Sequence, residues 1–129
     1  MIRNQKGFTL IEIIAVLIIL GILAAVAVPK YVDMAEQAKR SAANGQIAEM
    51  KSMLNLGYAK LYLSNQAAPT LAADVIVAAA GTSTFPISMG TAPDVWSVSM
   101  TGATTVATMT VISRGTDTDY TATGTWNIP

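Results

Sequence analysis

The chain has no cysteine and no histidine among its 129 residues. Disulfide staples, thiolate nucleophiles, imidazole acid–base chemistry and the common zinc sites are therefore excluded. Any globular part must be held by packing and strand pairing alone. Net charge is also lacking, because 8 basic residues balance 8 acidic ones. A general nucleic-acid binder would carry a basic excess, so no direct nucleic-acid site is expected. The acids are scattered, with no paired-carboxylate or nucleophile constellation. An enzyme is disfavoured, and no cofactor is expected. Proline is absent between Pro29 and Pro69, and no Asn-x-Ser/Thr sequon occurs.

Apolar residues are abundant, at 52%, but unevenly placed. Residues 1–7 (MIRNQKG) carry Arg3 and Lys6 and no acid. Residues 8–29 follow as one apolar run whose only charge is Glu12. As a helix this run reaches roughly 33 Å, which matches a hydrocarbon core of about 30 Å. Two cations just before it place the N-terminus in the cytoplasm and the rest outside, by the positive-inside bias.

From residue 30 to 64 charges appear, and apolar residues recur at helical spacing. Ile47, Met50, Leu54, Tyr58 and Leu61 form one stripe. The spacing predicts one helix from about Phe8 to Ser64, apolar all round at first and amphipathic later. Residues 65–94 read as a connecting loop holding a short helix over 71–80, with Thr70 as its N-cap and Gly81 as its stop. The remainder of that loop, 81–93, is turn-rich. Residues 95–129 alternate apolar with Ser or Thr in three stretches, around Trp96–Met100, Ala107–Val111 and Tyr120–Ile128. Such period-2 patterning describes half-buried antiparallel strands. The expected fold class is α+β. A long N-terminal helix spans a membrane with its first half and packs its second half on a small antiparallel β-meander.

The informative stretch is Lys6-Gly7-Phe8-Thr9-Leu10-Ile11-Glu12, then sixteen uncharged residues, then Pro29. It resembles the class III signal of type IV pilins and related pseudopilins, strongly from Lys6 to about Lys30 and more loosely beyond. The resemblance implies that a membrane prepilin peptidase removes residues 1–7, cutting between Gly7 and Phe8 and methylating the new terminus. Arg3 and Lys6 would be the leader charges. It further implies assembly, by a platform and an ATPase, into a helical filament of pilin subunits. The chain would lie in the bacterial inner membrane before assembly and in an extracellular pilus, or a periplasmic pseudopilus, afterwards. Gly21 and Pro29 are where the resemblance expects the helix to extend. Pro29 lacks an amide donor, and Gly21 adds backbone freedom.

Physical chemistry gives Glu12 a role beside the resemblance. A carboxylate inside a bilayer is costly and usually has a partner, yet no lysine or arginine lies in its segment. Cleavage before Phe8 would create an ammonium about one helical turn away. That amine could pair with its own Glu12 or with a neighbour's. Only the second pairing makes the charge a device for assembly.

The leading expectation is a structural subunit of a type IV pilus, serving adhesion, motility or DNA uptake. The alternatives are a type II secretion pseudopilin and a single-span anchored exported domain. An ordinary signal peptide, cut after Ala25-Val26-Ala27, is a further possibility. The absence of paired C-terminal cysteines separates the chain from disulfide-looped pilins. Pro93-Asp94-Val95-Trp96 does not match the calcium-associated motif of major pseudopilins. Asp117 and Asp119, with Asp94, remain candidate calcium ligands because hard cations seek clustered oxygens. Solvated turn acids are the commoner reading of such residues.

Overall fold

The structure, a computed structural model, describes residues 7–129. By contacts the chain divides into two units, Met1–Gln37 and Ala38–Pro129. Helix α1 runs Leu10–Asn65 and contributes to both, with Pro29 inside it. It is followed by α2 (Ala72–Ala80), β1 (Ile87–Met89), β2 (Trp96–Gly102), β3 (Val106–Arg114) and β4 (Ala122–Asn127). The architecture is α+β.

In the first unit nearly every described side chain is exposed, Leu17, Ile18, Ile19 and Leu23 among them. A helix apolar on all sides and uncovered by its own protein is soluble only in lipid or among other chains.

The second unit is a four-stranded antiparallel meander in the order β1-β2-β3-β4, covered on one face by α1 and α2. The predicted stripe forms the floor of its core. Ile47, Met50 and Leu54 are buried with Ala43, while Tyr58 and Leu61 pack at the margin. Opposite them, Val98 and Met100 of β2, Ala107, Met109 and Val111 of β3, and Trp126 of β4 close the core. Each fully buried Leu, Met or Val contributes roughly 1.5–3 kcal/mol.

Residue size across the sheet sets how closely the helix lies. The middle row pairs Met100 with Met109 and Met109 with Gly124. Gly124 leaves a vacancy beside two large side chains, and Ile47 fills it. A β-carbon at Gly124 would stand 2.5 Å from Ile47 Cγ2. Gly57 does the same for α2, since a β-carbon there would come within 2.7 Å of Ala79 Cβ and 2.8 Å of the Val75 carbonyl oxygen. The outer face of the sheet carries the Ser and Thr partners, such as Ser99, Thr110 and Thr123.

Three local features differ from the sequence reading. The turn-rich stretch 81–93 contains β1, only three residues long. The N-cap of α2 is Leu71, without a side-chain cap. The Ala72 amide instead donates to the Thr104 carbonyl at 2.9 Å, a tertiary bond that replaces the expected Thr70 hydroxyl. Gly81 does end α2, with φ 72° and its amide on the Val77 carbonyl. Finally, the β2–β3 register shifts between Ser97 and Val98, so that Trp96 faces Arg114 and Ile112 is left exposed. That bulge places Arg114 against the indole.

Candidate functional site

Gly7, Phe8 and Thr9 precede α1 in a non-helical stretch, and all three are exposed. The Gly7–Phe8 peptide bond is thus accessible and outside the helix, the form of chain that a peptidase cleft takes up. Arg3 and Lys6 lie outside the described residues.

Immediately after this bond the sequence Thr9-Leu10-Ile11-Glu12 forms a reciprocal cap. The Glu12 amide donates to Thr9 Oγ1 at 3.3 Å. In return Glu12 Oε2 accepts the Thr9 amide and the Thr9 hydroxyl, each at 2.8 Å. This is a capping box, with Thr9 in the N-cap position and Glu12 three residues on. Charge reasoning missed Thr9, although the pattern Thr-x-x-Glu before an apolar run was the available signal. The Thr9 amide survives a cut between Gly7 and Phe8, so the box is compatible with removal of residues 1–7. It also keeps the Glu12 carboxylate hydrogen-bonded within one chain.

α1 contains an 18-residue window of mean hydropathy 3.0, none of it buried inside the protein. By length and composition this part of α1 can cross a membrane. The helix is continuous through Gly21 and Pro29. A β-carbon at Gly21 would meet nothing within 4 Å.

In the second unit the three candidate calcium ligands are occupied by cationic side chains. Lys39 Nζ donates to Asp117 Oδ2 at 2.8 Å and to Asp119 Oδ2 at 3.0 Å. It also stands 5.4 Å from the Tyr120 ring centre. Asp94 pairs with Arg114, which lies 5.4 Å from both the Trp96 and the Tyr120 ring centres. Hydrogen bonding from Lys39, and then from the Asp119 amide, holds the Asp117 carboxyl below the usual carboxylate range. Hydrogen bonds to the carboxylates of Asp117 first and then Asp119 raise the Lys39 ammonium. Among the described residues no three carboxylates gather in a cation-binding group. The ammonium of Lys39 lies between the two acids where a metal would have to bind. Its part in the site carries no sequence signal, being 78 residues from Asp117.

The family model described as "Prokaryotic N-terminal methylation motif" matches residues 2–28. The chain is similar to the type II secretion system core protein G of Pseudomonas aeruginosa, 48% identical over 54 residues, which are 42% of this chain and 38% of that protein. It is 45% identical over 49 residues to the type IV narrow pilus major component PilA5 of Thermus thermophilus, covering 38% of this chain and 42% of the relative. It is 43% identical over 51 residues to the type IV major alpha-pilin of Moraxella bovis, covering 40% and 32% respectively. The similarity therefore spans less than half the length of these curated relatives. No solved structure matches.

Proposed function

We propose, from an N-terminal segment shared with type IV pilins and type II secretion pseudopilins, that this protein is a structural subunit of a type IV pilus. Residues 1–7 are a leader, removed between Gly7 and Phe8 by a prepilin peptidase that methylates Phe8. Residues 8–29 hold the subunit in the inner membrane and then pass into the core of a helical filament. The observation that carries this reading is the exposed Gly7–Phe8 bond directly before a capped and uncovered apolar helix. A helix of that kind has two environments open to it, lipid and the helices of like subunits. Glu12 gives the second its register, by exchanging its Thr9 hydrogen bonds for the Phe8 ammonium of a neighbour. An assembly platform and ATPase would drive that transfer. Gly21 and Pro29 mark where the helix can lengthen under it.

A pseudopilus subunit is the second reading, favoured by the 48% identity to a type II secretion core protein. Both are structural, not catalytic, roles. Mass spectrometry of the protein recovered from cell envelopes and sheared filaments tests the processing. The expected mature chain starts at methylated Phe8. A start at Val28 would assign the segment to signal peptidase, and filaments starting at Met1 would overturn the proposal. Loss of surface filaments in a deletion strain supports the pilus, whereas retained filaments with lost protein export support the pseudopilus.

A further inference from the structure

Beside the sheet, a cleft of about 350 Å³ lies between α1 and the β1–β2 connection. Gln46, Glu49, Met89, Gly90, Asp94 and Trp96 line it. Its volume falls at the small end of ligand pockets, which begin at about 300 Å³. Several of its groups are held in place by partners. Gln46, only 7% exposed, donates through Nε2 to Glu49 Oε2 at 3.1 Å and to Met89 Sδ at 3.7 Å. Glu49 is thus anchored by a buried amide. Asp94 is anchored by Arg114, and its amide donates to the Thr91 carbonyl at 2.9 Å. Trp96 is braced edge-on by Tyr120, with ring centres 5.5 Å apart, and by Arg114. Gly90, at φ 93°, brings the backbone close, and a β-carbon there would sit 2.6 Å from the Asp94 carbonyl oxygen and 4.0 Å from the indole.

We propose that this cleft binds a neutral pyranose unit of a polysaccharide. The chemistry of the lining selects the ligand class. Two carboxylates and no lysine or arginine among the lining residues disfavour an anionic sugar or a phosphate. Carboxylates and loop carbonyls accept hydrogen bonds, so they suit a ligand that presents many hydroxyl donors. The indole adds a flat apolar surface for the C–H face of a ring. Pairing of Asp94 with Arg114 removes one of the two negative charges, which makes hydroxyls a better match than a cation. Anchoring by Gln46, Arg114 and Tyr120 means little side-chain ordering remains to be done on binding. The site lies wholly in the second unit and does not depend on filament assembly.

The test uses the full chain in phosphocholine micelles, whose headgroup is not a sugar. Saturation-transfer NMR is run with the methyl glycosides of glucose, galactose, N-acetylglucosamine and N-acetylgalactosamine. At least one should take up saturation on one ring face, with a dissociation constant of about a millimolar, as suits a small ligand in an open cleft. Glu49→Ala should weaken it about tenfold, the worth of one hydrogen bond to a charged acceptor. Trp96→Phe should lower the saturation of the ring C–H protons. Unchanged far-ultraviolet circular dichroism is the check that each variant folds. No transfer to any of the four glycosides would overturn the proposal, as would transfer undiminished in Glu49→Ala. Tighter binding of ethanolammonium than of every glycoside would reassign the cleft to cations.

Discussion

Two glycines on α1 provide a matched test of how the second unit is packed. Gly45 and Gly57 both sit inside the helix. Replacing a helical glycine by alanine relieves a propensity penalty of about 0.8–1 kcal/mol. At Gly45 nothing lies within 4 Å of the new β-carbon. Gly45→Ala should therefore stabilise by most of that amount. At Gly57 the new carbon would meet Ala79 Cβ at 2.7 Å, the Val75 carbonyl oxygen at 2.8 Å and the Ala79 amide nitrogen at 2.9 Å. Two of these are backbone atoms of α2, which cannot swing aside as a side chain can. Overpacking of this kind costs about 1–3 kcal/mol. The clash outweighs the propensity gain, and Gly57→Ala should be destabilising by about 1 kcal/mol. The two substitutions, chemically identical, should differ by roughly 2 kcal/mol. In a domain of this size that separates their melting temperatures by about 8 °C or more. Tryptophan fluorescence of the full chain in micelles is the assay, because both tryptophans, Trp96 and Trp126, lie in the second unit. If Gly57→Ala stabilised as much as Gly45→Ala, α2 would not rest on α1 at this point.

Asn55→Leu should destabilise the second unit by about 1–3 kcal/mol, by orphaning the buried Trp126 indole N–H that now donates to Asn55 Oδ1 at 2.7 Å; equal urea midpoints for variant and wild type would contradict this. Lys39→Met should lower stability at pH 7, and by progressively less as pH falls below the ordinary carboxylate value of about 3.9. The lowered Asp117 pKa makes its contribution complete above the ordinary carboxylate value of about 3.9 and lost as pH falls through the lowered one. The raised Lys39 pKa makes its own contribution complete below the ordinary lysine value of about 10.4, so both are present at pH 7. A urea midpoint difference that persisted unchanged at pH 2 would show that the clasp is not electrostatic. Glu12→Ala should leave membrane insertion and cleavage after Gly7 largely intact while abolishing filaments, with Glu12→Gln milder. The readout is the ratio of filament to processed membrane protein, and a normal ratio for Glu12→Ala would refute intersubunit pairing. Thr9→Val should remove the hydroxyl bond that Glu12 gives up on assembly yet keep the amide bond, so the same ratio should not fall; a marked fall would show that the cap itself supports assembly.

Periodic features were legible in the sequence, and features of contact were not. The Ile47–Leu61 stripe and the alternation around Val98, Met109 and Trp126 mark a helix and strands because each repeats its own period. β1 has three residues, too few to show a period. The roles of Gly57 and Gly124 depend on what approaches them, and a glycine in sequence does not name its neighbour. Lys39 meets Asp117 and Asp119 only after folding. Thr70 has the composition of an N-cap, but the carbonyl of Thr104 reaches the first turn of α2 and takes that role. At the N-terminal site the junction and Glu12 could be read directly. Thr9 carries the spacing of a cap, Thr-x-x-Glu, rather than a charge.

The meander's order has a consequence for how the second unit comes together. Every strand pairs with its neighbour in sequence, so the sheet closes only short loops and can form quickly and by itself. Docking onto α1 joins residues much farther apart, Asn55 with Trp126 across 71 positions and Lys39 with Asp117 across 78. During synthesis the amphipathic half of α1 is made long before its cover and must wait, with Ile47, Met50 and Leu54 unprotected, until β4 emerges. That interval is when a chaperone or a protease would compete for the stripe, and substitutions in β4 should lengthen it without slowing the sheet's own nucleation.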